Sequence, residues 1–209
     1  MPSSTSEPRL VGITLLITGF CSLFLMMHHP TSFHAQTLTA VVHGGMIAAI
    51  LLAQMGILYL ATKLDMTRPA ALAMATLFSV GSLFNVAAGL MNGFIVPEWL
   101  QHIGTEGTHE VRDFAWAINQ NCARLGILTH GAAMLLTALP LLNRPKTPLN
   151  FSVLLTSLLA GILSPAVLLI HHGQLNVHTA LLCYGLESVW FFAIGLLLIW
   201  YQNEQTEAT

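Results

Sequence analysis

Polar residues break this chain into six apolar runs: Leu10–Met27, Thr39–Thr62, Pro69–Ile95, Phe114–Leu142, Leu149–Ile170 and Leu175–Tyr201. Each is about as long as the stretch of roughly 20 residues that crosses a 30 Å hydrocarbon core as a helix. Arg68-Pro69 opens the third run, Val96-Pro97-Glu98 closes it, and Asn143-Arg144-Pro145-Lys146-Thr147-Pro148 separates the fourth from the fifth. The few residues around Asp65 join the second and third runs as a tight helical hairpin. The pattern predicts an all-α polytopic transmembrane bundle of six helices forming a single integral-membrane domain over residues 1–209. The first run is read as a retained helix, because His28-His29-Pro30 offers no small-x-small cleavage site.

Composition agrees with that reading. Of the 209 residues, 55% are hydrophobic and 8% charged, too little charge to wet the surface of a soluble globule. A net charge of −2 without a Lys/Arg cluster speaks against nucleic acid. Cys21, Cys122 and Cys183 sit inside apolar runs with no CxxC spacing, and read as packing residues. Arg9, Lys63, Arg68, Arg144 and Lys146 fall on the side that holds the N-terminus, against Arg112 alone on the other. The positive-inside bias therefore puts both termini in the cytoplasm of a plasma membrane, a bacterial inner membrane by expectation. The lipid bilayer is the expected partner, with further membrane subunits or a second copy of the chain as candidates.

On that map the histidines gather on the outer side. His28, His29 and His34 follow the first span, His171 and His172 end the fifth, His43 and His178 lie just inside the second and sixth, and His130 alone is near mid-membrane. Imidazole at one surface permits metal coordination, haem ligation or proton handling. Met26 and Met27 precede His28 and His29, and Met46 lies at comparable depth. Mixed imidazole and thioether donors suit Cu(I). The expected metal rim is thus Met26, Met27, His28, His29, His34, His171 and His172. Zinc is the alternative in the loop carrying His102, Glu106, His109 and Glu110. Haem b would take His43 and His178 as axial ligands, with Arg124 pairing a propionate.

Ionisable groups within a span are costly and count as functional candidates. His130 and Glu187 match in depth and form an expected hydrogen-bonded pair or proton relay. Amides add polar stripes at helical spacing: Asn85 with Asn92, seven apart; Asn119, beside Gln120, with His130; and Gln54 with His43, eleven apart. These stripes predict a polar cavity that opens outward. A metal or haem site for redox or metal handling is the first expectation. A carrier or binding subunit for a small solute or quinone, using Glu187 and Arg124, is the second, and a non-catalytic membrane scaffold the third. No GxSxG, HExxH or phosphate-binding glycine loop is present, and the sequence assigns no catalytic residue.

Overall fold

The computed structural model describes residues 6–30, 36–103, 109–144 and 147–206. Among them there is no strand. The helices are α1 (Ser6–Met27), α2 (Gln36–Lys63), α3 (Pro69–Leu90), α4 (Val96–Ile103), α5 (His109–Leu141), α6 (Pro148–Ile170) and α7 (Val177–Thr206), with a π-helical segment, Met91–Ile95, between α3 and α4. Six of the helical stretches are long and apolar enough to cross a membrane: Ser6–Met27, Thr37–Lys63, Pro69–Trp99, Arg112–Leu141, Pro148–Ile170 and Val177–Trp200.

Local chemistry sets several ends. Pro69 and Pro148 occupy the first turns of α3 and α6, where a missing N–H costs nothing, and the Thr147 hydroxyl accepts from Asn150 N at 3.2 Å. Asp65 turns α2 into α3 at φ 77, its carboxylate accepting from Thr67 N and Oγ1 at 3.1 and 2.6 Å.

One boundary differs from the sequence expectation. Val96-Pro97-Glu98 does not end the third span, because the chain runs through Pro97 into α4. Proline lacks an N–H and its ring crowds the carbonyl four residues back. The wider π turn, in which Val96 N reaches Met91 O, loosens the helix just before the ring.

Packing joins the spans into a closed ring: α1 on α2, α2 on α3, α3 on α5, α5 on α6, α6 on α7 and α7 back on α1. Each span runs antiparallel to its chain neighbours, so the ring has two unlike ends. One carries Lys63, Asp65, Arg68 and Arg144 and is called here the basic end. The other, the histidine end, carries His28–Pro30 after α1 and the α6–α7 turn.

Small residues bring the backbones together. A Cβ on Gly12 would lie 2.5 Å from Gly195 O, and one on Gly195 would lie 2.7 Å from Gly12 O, so neither α1 nor α7 has room for alanine. Gly81 and Gly126 do the same between α3 and α5, against His130 and Asn85. Large apolar residues face outward instead. Leu10, Ile13, Ile17, Phe20, Phe24 and Met27 form one exposed stripe of α1 at helical spacing. Toward the basic end the ring is filled by Leu15, Ile57, Met74, Phe78, Met134, Trp190, Phe191 and Ile194, all buried in one cluster. The histidine end is not filled.

Candidate functional site

Within the ring at the histidine end lies a cavity of about 600 Å³. α1 and the residues after it contribute Met26, His29 and Pro30. α2 contributes His43, Met46 and Ile50, α3 and the π segment Asn85 and Asn92, and α5 Trp116, Asn119, Gln120 and Arg124. Gln174 and Asn176 of the α6–α7 turn and Tyr184 of α7 complete the wall. Among the described residues no carboxylate lines it.

Two imidazoles meet at the wall. His29 follows the end of α1, and His43 stands about two turns into α2. Their Nε2 atoms are 3.2 Å apart and the rings stand edge to face, centroids 4.8 Å apart. The opposite nitrogens fix the tautomers. His43 Nδ1 lies 2.8 Å from Thr39 O, and His29 Nδ1 lies 3.0 Å from Pro30 O. A carbonyl oxygen only accepts, so each Nδ1 carries a proton and donates it. Each neutral ring then presents an Nε2 lone pair, and the two lone pairs converge. Such an arrangement is satisfied by a cation between them, either a proton or a metal ion. Gly93 makes the approach possible: a Cβ there would lie 2.5 Å from His43 Cβ and 3.1 Å from Cγ. The π turn thus lays its one side-chain-free residue against the imidazole.

Burial, and then the neighbouring His43, hold the His29 imidazole below its ordinary value near 6.5, against a smaller opposing effect of its bond to Pro30. The sign follows from linkage. The unfolded chain takes up a proton near the ordinary value while the folded chain resists it. Stability is therefore full above the ordinary value and is lost as pH falls through it toward the depressed one. Metal-stripped protein is expected to melt at a lower temperature at about pH 5 than at about pH 7, and His29→Gln is expected to flatten that dependence. A pH profile of melting unchanged by the substitution is the contrary result.

Beneath the cavity a second polar group spans the ring. His130 on α5 and Glu187 on α7 are not on neighbouring helices, yet Nδ1 and Oε1 lie 2.6 Å apart, with side chains 2% and 10% exposed. His130 Nε2 donates to Phe78 O at 3.1 Å, and the ring stacks on Phe78 at 4.1 Å between centroids. One further proton is then shared between Nδ1 and the carboxylate. Tyr184 donates to Asn85 Oδ1 at 2.9 Å, and Asn85 Nδ2 lies 3.5 Å from His130 Nδ1. A chamber of about 20 Å³, enough for one water, lies between Tyr184 and the pair.

The expected site residues separate into those the structure gathers and those it does not. Met26, His29, His43, Asn85, Asn92, Asn119, Gln120 and Arg124 line the cavity, and His130 and Glu187 meet below it. His178 is exposed and does not line the cavity; the imidazole opposite His43 is His29, so the expected His43–His178 pair is not formed. Depth alone matched those two, whereas His178 sits on the outward flank of α7. The expected rim does not gather either. Met27, His28, His171 and His172 are exposed and none lines the cavity, His28 instead bonding Phe24 O at 2.8 Å. His34 lies outside the described residues. Gln54 also stands apart, donating to Ser79 Oγ at 2.8 Å. Among the described residues no three His, Cys, Asp or Glu side chains form a metal cluster. Sequence reasoning passed over Tyr184, whose signal was its spacing of three from Glu187.

Comparison with known proteins finds no matching family model, no matching curated protein and no matching solved structure.

Proposed function

We propose that this chain is a multi-pass plasma-membrane protein, termini in the cytoplasm, whose cavity faces outward and holds a soft metal ion, Cu(I), for metal handling or redox chemistry at the outer surface. The observation that carries the reading is the pair of Nε2 lone pairs 3.2 Å apart with both Nδ1 protons engaged by carbonyls. That second bond is how proteins orient ligating imidazoles.

The spacing separates an ion from a haem. Imidazole nitrogens about 2.0–2.1 Å from a metal are about 3.3 Å apart at a tetrahedral angle and about 4 Å apart when trans. The observed gap fits the first and leaves no plane for a macrocycle between the rings. Donor type separates copper from zinc. Met26 and Met46 line the cavity and, among the described residues, no carboxylate does, which favours a soft ion. Two imidazoles with a thioether from Met26 or Met46 form the donor set.

Purified full-length protein, stripped of metal, tests the reading by titration with Cu(I) against a chromophoric chelator, with Ag(I) as a redox-silent analogue and Zn(II) as contrast. About one equivalent of Cu(I) or Ag(I), held more tightly than Zn(II), is expected. Preference for Zn(II), or no competition with the chelator, overturns it. Gly93→Ala touches no donor atom, yet its new methyl pushes on His43. It is expected to weaken Cu(I) by about tenfold to a hundredfold, the range seen when groups behind a ligand are disturbed. Unchanged affinity would mean that the His43 ring is not held by the π turn.

A further inference from the structure

A single ion between His29 and His43 leaves most of a 600 Å³ cavity to something else. Volumes of roughly 300–1,000 Å³ belong to small-molecule sites, and two polar atoms on the α5 wall are left without partners. Arg124 lines the cavity, its Nε has no hydrogen-bond partner, and it forms no ion pair among the described residues. Asn119 is 3% exposed, lines the same space, and its Oδ1 has no partner. The amides beside them are already used. Gln120 exchanges two bonds with the Leu175 backbone, at 3.0 and 3.1 Å, and Asn85 holds Tyr184. A cation inside a span without a counter-charge is expensive, as is a buried carbonyl without a donor. Gly173, at φ 74, brings the α6–α7 turn against the other side of the guanidinium: a Cβ there would lie 3.7 Å from Cζ and Nε.

We infer that the cavity is also a binding site for a small organic anion, with an oxyanion on Arg124, a hydrogen-bond donor of the same molecule on Asn119 Oδ1, and an apolar body against Ile47 and Ile50. The two polar groups are five residues apart on α5, so their Cα atoms lie about 7.5 Å apart along its axis. A hydroxyaryl carboxylate, with its hydroxyl and carboxylate at opposite ends of a flat apolar ring, carries all three features. A carboxylate dissolved in the outer medium and the phosphate of an anionic lipid share the chemistry. The structure favours the dissolved molecule, because Gln174 and Asn176 of the surface turn are exposed and line the cavity. The inference does not need the metal.

The test uses metal-stripped full-length protein in nanodiscs of phosphatidylcholine, with 6-hydroxy-2-naphthoate, its carboxamide and unsubstituted 2-naphthoate as probes in equilibrium dialysis. The hydroxynaphthoate is expected to bind at least about tenfold tighter than the carboxamide, as charge-assisted bonds to guanidinium require. Arg124→Gln is expected to erase that preference and spare carboxamide binding, and Asn119→Leu to erase the advantage of the hydroxyl. Equal binding of acid and amide, binding of neither, or a preference that survives Arg124→Gln overturns the inference. Should Arg124→Gln fail to fold, Asn119→Asp serves instead: its carboxylate must weaken the acid about tenfold and spare the amide, and equal effects on both overturn the inference. Displacement of the probe in phosphatidylglycerol nanodiscs overturns the dissolved source in favour of lipid, while undiminished binding upholds it. Probe binding that persists in His43→Ala upholds the independence from metal, so failure of one reading is distinguishable from failure of the other.

Discussion

Replacing His43 by alanine is expected to lower Cu(I) affinity by at least about a hundredfold, beyond the tenfold to hundredfold typical of groups that only support a ligand. His43 supplies one of two converging lone pairs, and its own Nδ1 is committed to Thr39 O. Among the described residues no third histidine lines the cavity to replace it. His29→Ala is expected to match it. Met46→Leu keeps the volume and removes a thioether, so a loss of about tenfold is expected. His178→Ala and His171→Ala, on exposed positions, are expected to change nothing. Competition titrations with a Cu(I) chelator check all five. Retained affinity in His43→Ala, or an equal loss in His178→Ala, sinks the assignment.

Removing one partner of the His130–Glu187 pair is expected to cost about 3–5 kcal/mol of stability, because the other is left buried and unmatched. His130→Ala strands the carboxylate and also removes the ring that Phe78 stacks on. Glu187→Ala leaves Nδ1 without its partner. Glu187→Gln can instead donate its amide N–H to the Nδ1 lone pair of a neutral ring and is expected to cost under about 1.5 kcal/mol, one hydrogen bond for another. Replacing both by leucine is expected to recover most of either single loss, since a well-packed apolar pair is often no worse than an ion pair. Reversible unfolding in mixed micelles, followed by circular dichroism, measures each. Additive losses in the double variant would mean that the two residues do not act as a pair.

Much of this arrangement is legible in the sequence, and the parts that are not share a physical reason. A run of twenty apolar residues fixes a span by length, so the six spans and most of their ends agree with the helices found. Depth is legible too, because the rise per residue is constant. At one level by that count, His130 and Glu187 read as a pair, and the structure brings them together. Azimuth is less legible. His178 and His43 read as one level in the sequence, but a membrane helix is apolar on every side, and no hydrophobic stripe marks which face turns inward. His29 carries a further difficulty. It follows the last turn of α1, where direction is set by Pro30 rather than by helical period. The π segment has no signature of its own, since Pro97 announces a stop that one wider turn avoids.

The packed floor of aromatic and aliphatic side chains around Phe78, Trp190 and Phe191 gives the site a thermodynamic character. A ligand seated above it exchanges with one aqueous phase. Its occupancy then tracks the free concentration in that compartment and is blind to the concentration across the membrane. On the function proposed above, the chain would behave as a one-sided gauge.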